Sequence, residues 1–154
     1  MKYKVYISGI CRLLLILLWS YVTVAKLSDF EAFTFSLSRQ PLPQWSVGII
    51  SIGIPLVEII AILLLISEKL KRTGFIVSLV LMLAFSVYVA LALTGAFGKI
   101  PCSCGGIISS LGWRDHLLFN LGYVIIAWIG YRWDNTKPEI EESLRKAENN
   151  RQLA

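Results

Sequence analysis

Two cysteines one residue apart, Cys102 and Cys104, stand in the stretch KIPCSCGGIISSLGWRDHLLFN, Lys99 to Asn120. Three chemistries are open to such a pair. It can exchange electrons as a reversible disulfide, form a permanent bridge, or join His116 in a metal site. Residues i and i+2 bring their Cα atoms within the roughly 4.4–6.8 Å that a disulfide needs only on a bent backbone. Strained disulfides are the more oxidising and labile ones, so the spacing suits exchange better than bracing. Pro101 fixes the backbone on entry, while Gly105 and Gly106 permit positive φ and the close approach of another chain. Lys99 and Arg114 add positive charge that favours a thiolate, as would the dipole of a short helix starting near Gly106. Two thiolates and one imidazole leave zinc a ligand short and suit Cu(I) better, so no complete metal site is expected.

Three further residues carry candidate chemistry. His116 and Asn120 are four residues apart and share one face of a helix, with Asp115 placed to cap its start. His116 can move a proton during thiol exchange, donate to a quinone carbonyl, or simply be a hydrogen-bonded residue at an interface. Glu58 follows Pro55 by three residues inside an apolar run. Carboxylates in such runs are costly and face a bundle interior. A Tyr or Ser partner from a neighbouring helix, or a proton-carrying role, is expected. Lys26 reads as a side chain reaching back to water and pairing with Asp29. Cys11 reads as a small buried hydrophobe.

The elements that position these residues follow from composition. Of 154 residues, 56% are hydrophobic and 16% charged, against about 45–50% and roughly 25% in soluble domains. The excess falls in four runs, at residues 7–25, 47–66, 73–97 and 117–133. A bilayer span needs roughly 20 mainly apolar residues, and in lipid it must be helical to satisfy its backbone. The first run has Lys2 and Lys4 before it, like a secretory signal, but it is long and its cleavage candidate Thr23–Ala25 is poor, so an uncleaved helix is expected. Eleven of the 15 Lys and Arg residues then fall on one side of the membrane and four (Lys26, Arg39, Lys99 and Arg114) on the other. That bias places both termini in the cytoplasm. It also accounts for the net charge of +5 without nucleic acid, because the basic residues are split among separate segments. Cys102 and Cys104 then face outward, which for a bacterial inner membrane means the oxidising periplasm.

Between the first two runs, Ser28 and Glu31 read as a capping box that starts a helix. Phe30, Phe33 and Leu37 give it one apolar face, as in a helix lying in the membrane interface, and Pro41 and Pro43 end it. Trp45 and Trp113 read as membrane-belt aromatics. The SEKLKR turn makes the second and third spans antiparallel neighbours. After Trp133 the chain turns polar. A second capping box at Thr136 and Glu139, and the pairs Glu141–Arg145 and Glu142–Lys146, predict a cytoplasmic surface helix fraying after Asn149. The fold expected is thus an all-α integral membrane protein. Residues 1–133 form a four-transmembrane-helix bundle with a short outer helix after the first span, and 134–154 form a polar tail.

Two stretches resemble a known family. KLSDFEAFTFSLSRQPLP followed by IPLVEIIAILLLI resembles the DoxX-like superfamily pattern, and PCSCGG followed by LGWRDHLLFN resembles its MauE-type branch, the methylamine utilisation membrane proteins. The likeness runs from about Arg12 to Trp133, although Ser103 and Gly106 stand where members often carry Gly and Phe. It implies a four-helix membrane bundle serving periplasmic redox beside a thioredoxin-like partner, with Cys102, Cys104 and Glu58 as motif residues. The function expected is thiol–disulfide exchange with a periplasmic thioredoxin-like protein in support of disulfide formation in exported proteins. Two alternatives are a quinone-coupled oxidoreductase subunit, for which quinone would be the cofactor, and a non-enzymatic structural or metal-handling subunit.

Overall fold

The computed structural model describes residues 2–94, 112–134 and 148–151. It contains α1 (Lys2–Ser28), α2 (Phe30–Ser38), α3 (Gln44–Ile66), α4 (Lys71–Leu93) and α5 (Trp113–Trp133), and no strand among the described residues. Three helices are long and apolar enough to cross a membrane, at Tyr3–Ser28, Gln44–Ile66 and Lys71–Leu93. The fourth expected span, α5, is not one of them. Its first eight residues include Arg114, Asp115, His116 and Asn120, and the two of these that are buried, His116 and Asn120, face inward.

The four long helices meet in a cycle: α1 lies on α3 and α5, and α4 closes the ring against both. Their outer faces are apolar. Ile49 and Ile52 on α3, Val80 and Val87 on α4, and Leu118 and Ile125 on α5 are all exposed. An apolar shell around a helical ring is what hydrocarbon solvates and water does not, so the chain is a multi-pass membrane protein. Pro55 sits inside α3 and is buried. It removes one helical donor, so the Ser51 carbonyl loses its usual partner.

The ring has two dissimilar ends. At the end where α1 begins, packing is close. A Cβ on Gly74 would approach Leu65 N to 2.8 Å, and one on Gly130 would run into the ring of Phe75. These two glycines let α4 approach the end of α3 and let the Phe75 ring come up against the α5 backbone at Gly130. Cys11, Leu15, Ala61, Leu65, Phe75 and Ala127 form the core here, and Ser8 donates to the Gly130 carbonyl at 3.2 Å. At the other end α2 folds over the start of α3, burying Phe33 and Leu37 against Val47.

Several sequence expectations shift in register. α2 is present, but its cap is Asp29, whose side chain accepts from Ala32 N at 3.1 Å. Ser28 is still in α1, so it has no free end to cap. α5 begins after Gly112, which makes Gly112 the N-cap and puts Asp115 inside the first turn, where its charge complements the helix dipole. Residues 148–151 are helical, past the fraying point expected at Asn149. Cys102, Cys104, the second capping box and the two tail ion pairs lie outside the described residues.

Candidate functional site

The α2 end of the ring holds two charges deep inside. Glu58 is 1% exposed and Lys26 6%, and they form an ion pair. Thr23 Oγ1 donates to the other Glu58 oxygen at 3.0 Å. This corrects the expectation that Lys26 turns to water and pairs with Asp29. The reason is directional. Side chains on a helix lean toward its N-terminus, and α1 and α3 run antiparallel. Lys26 therefore leans down into the ring while Glu58 leans up toward the α2 end, and the two converge. The expected interior position and polar partner of Glu58 are both seen, although the partners are Lys26 and Thr23 rather than a Tyr or Ser. Lys26 also lies 5.9 Å from the centroid of Phe33 on α2.

Beside this pair is a cavity of about 340 Å³. Leu18, Trp19 and Val22 of α1, Ile50 and Ile54 of α3, and Met82 and Phe85 of α4 supply apolar wall, with Phe33 and Leu37 of α2 above. Trp19 is fixed by its own hydrogen bond, Nε1 donating to Ser78 Oγ at 3.0 Å, and its ring meets that of Phe85 at a centroid distance of 6.4 Å. Tyr88 of α4 donates to Gln40, which follows α2, so the cover is tied to the wall.

His116 and Asn120 enter the same cavity from α5. They share one helical face, as expected, and both are buried. The structure thus brings together Glu58, His116 and Asn120, three of the five residues singled out for chemistry, with Lys26. Asn120 Nδ2 is buried and has no hydrogen-bond partner. Thr94 and Gly112, which bound the segment carrying Cys102 and Cys104, belong to the helix ends that reach this same end of the ring. Among the described residues, no group of three His, Cys, Asp or Glu side chains is placed to hold a metal ion.

The opposite end carries its charges differently. Arg12 of α1 donates to the carbonyls of Leu65 at 2.5 Å and Ile66 at 2.6 Å, closing off carbonyls that the end of α3 leaves without helical donors. It also donates to Glu68 at 2.5 Å. Lys71 bridges Glu68 at 3.0 Å and Asp134 at 3.6 Å. The Arg12 and Lys71 hydrogen bonds hold the Glu68 carboxyl down at about 2. Glu68 nonetheless faces solvent.

Against known proteins, the family model described as methylamine utilisation protein MauE matches residues 4–132. The chain belongs to the MauE family. The match takes in all of the long helices except the first residues of α1 and the last residue of α5, so the cavity and its ion pair lie wholly within the MauE region. No curated protein and no solved structure matches the chain. Sequence reasoning missed Lys26 and the cavity. The signal for Lys26 was present: a cation and a carboxylate on antiparallel helices leaning toward one another, with Thr23 one turn from the cation.

Proposed function

We propose that this MauE-family protein is a thiol–disulfide redox protein of the bacterial inner membrane, in which Cys102 and Cys104 exchange electrons with a periplasmic thioredoxin-like protein. In this reading α1, α3, α4 and α5 all span the bilayer, both termini are cytoplasmic, and the α2 end faces the periplasm. Family membership makes a role in methylamine utilisation consistent with the chain, and disulfide formation in an exported protein is the step assigned to it.

The observation that carries the reading is the concentration of buried polar groups at one end. Lys26, Glu58, His116 and Asn120 all lie at the end of the ring where the helices flanking the cysteine segment terminate. Buried charges inside a membrane protein are costly and mark functional positions. Exchange proceeds by attack of one thiolate on a disulfide sulfur of the partner. The mixed disulfide is then resolved by the second thiolate, which releases the partner as a dithiol and leaves Cys102–Cys104 oxidised. The reverse sequence runs electrons the other way.

The test traps the intermediate. With Cys102→Ser or Cys104→Ser in the full chain, the second thiolate that resolves the mixed disulfide is missing. One of the two variants should accumulate a covalent adduct that dithiothreitol releases as a thioredoxin-like protein. Absence of an adduct in both variants would overturn the assignment. A membrane-impermeant thiol reagent should label the reduced pair in intact spheroplasts; labelling that requires permeabilisation would overturn the orientation.

A further inference from the structure

We infer that the cavity at the α2 end is a binding site for a neutral, apolar ring bearing carbonyl oxygens, the chemical class of membrane quinones, with Asn120 Nδ2 donating to one carbonyl. The inference deepens the exchange reading and rests on it only for its purpose, not for the site itself. In that purpose the Cys102/Cys104 dithiol gives up two electrons and two protons as its S–S bond forms, and the two ring carbonyls take them up as hydroxyls.

Three features of the site select this class. First, the donor is orphaned. Asn120 is 4% exposed and lines the cavity, and its Nδ2 has no partner. A buried donor without a partner is costly, and an N–H donor is satisfied only by an acceptor. An acyl chain has none. Second, the walls are aromatic and aliphatic. Trp19, Phe85 and Phe119 line it, and about 340 Å³ falls within the range of small-molecule pockets, about 300–1,000 Å³. Third, the site has no spare charge at its ion pair. Lys26 is matched by Glu58, so a carboxylate ligand such as a fatty acid would enter without a free counter-charge, whereas a neutral carbonyl needs none. His116 lies one turn before Asn120 on the same wall, within reach of the same class of ligand.

The test uses the full chain in nanodiscs of saturated phosphatidylcholine, titrated with a short-chain benzoquinone and read by tryptophan quenching, since Trp19 forms part of the wall. Quenching should saturate. Asn120→Leu, which keeps the volume and removes the donor, should weaken binding at least tenfold. Tetramethylbenzene, the same ring without carbonyls, and oleate should both fail to displace the quinone. Unsaturable quenching, equal affinity in Asn120→Leu, or displacement by either competitor would overturn the proposal in favour of a generic lipid-filled void. If Asn120→Leu does not fold, Val22→Phe, which fills the cavity from α1, should abolish the saturable signal, and an unchanged signal would overturn the proposal equally. The same titration on a Cys102→Ser/Cys104→Ser chain should give full binding. Quinone binding there, together with failed trapping, would sink the exchange reading alone. Normal trapping with no quinone binding would sink the cavity proposal alone.

Discussion

The two ends of the helical ring solve opposite problems with the same residue types. At the end where α1 begins, glycines and a flat aromatic ring bring the helices close, and the charges sit at the rim. Arg12, Glu68 and Lys71 satisfy helix-end carbonyls and one another in contact with water. At the α2 end the helices stand apart around a cavity, and the charges sit inside it. Water screening keeps the first network weak. Exclusion of water makes the second pair interdependent, because either charge alone would be stranded. The close-packed end reads as the part that holds the ring together, and the open end as the part built to receive something.

The sharpest way to break this contrast is to strand a charge. Lys26→Met or Glu58→Leu alone should destabilise the protein by about 3–5 kcal/mol, measured by reversible unfolding in mixed micelles. Glu58→Gln should cost less than Glu58→Leu, because it still accepts from Thr23. The double variant Lys26→Met/Glu58→Leu should recover much of the loss. Additive losses in the double variant would mean that the two charges are not coupled.

Next in size is packing at the closed end. Gly130→Ala forces a methyl group into the Phe75 ring, and overpacking a filled core costs about 1–3 kcal/mol. Val22→Leu adds a methylene beside the cavity and should cost less than Gly130→Ala in the same unfolding assay. An equal or larger cost at Val22 would show that the open end is as tightly filled as the closed one.

How far sequence alone reaches differs between these ends. Helices α1, α3 and α4 are legible because each holds an apolar run of bilayer length, which in lipid must be helical, and Glu58 is legible as interior because a lone carboxylate in such a run is costly against lipid. Cap positions are misread by one to three residues. Ser28 and Asp115 have the right chemistry, but where a helix ends is set by its packing, and α1 runs on through Ser28 while α5 starts earlier than its apolar run. Lys26 is misread because the lean of its side chain toward the start of α1 leads to Glu58 only when α3 is considered beside α1, and the pairing with Asp29 considers one segment alone. The cavity is illegible because it belongs to no single segment. It exists where α1, α3, α4 and α5 fail to fill the space between them, and the contacts of Gly74 and Gly130 at the other end are equally a property of pairs.

The smallest expected effect concerns the exposed network. The Glu68 carboxyl is held near 2, from an ordinary value of 4.5. A carboxyl depressed on folding contributes stability above its unfolded value and loses it as pH falls toward the folded one. A slight fall in thermal midpoint between about pH 4.5 and 2 is therefore expected, and Glu68→Gln should remove that part of the pH dependence. A large effect would mean that this network is as strongly coupled as the buried pair.

The exchange role of Cys102 and Cys104 is met most directly by a redox titration of the whole protein in detergent, read by mass-tagging of free thiols. With three cysteines in the chain, the account predicts a reversible passage from three tags to one, with Cys11 tagged throughout under denaturing conditions. The midpoint should lie well above the roughly −300 mV below which structural disulfides fall. A pair that stays oxidised under conditions that reduce thioredoxin-like proteins would contradict it.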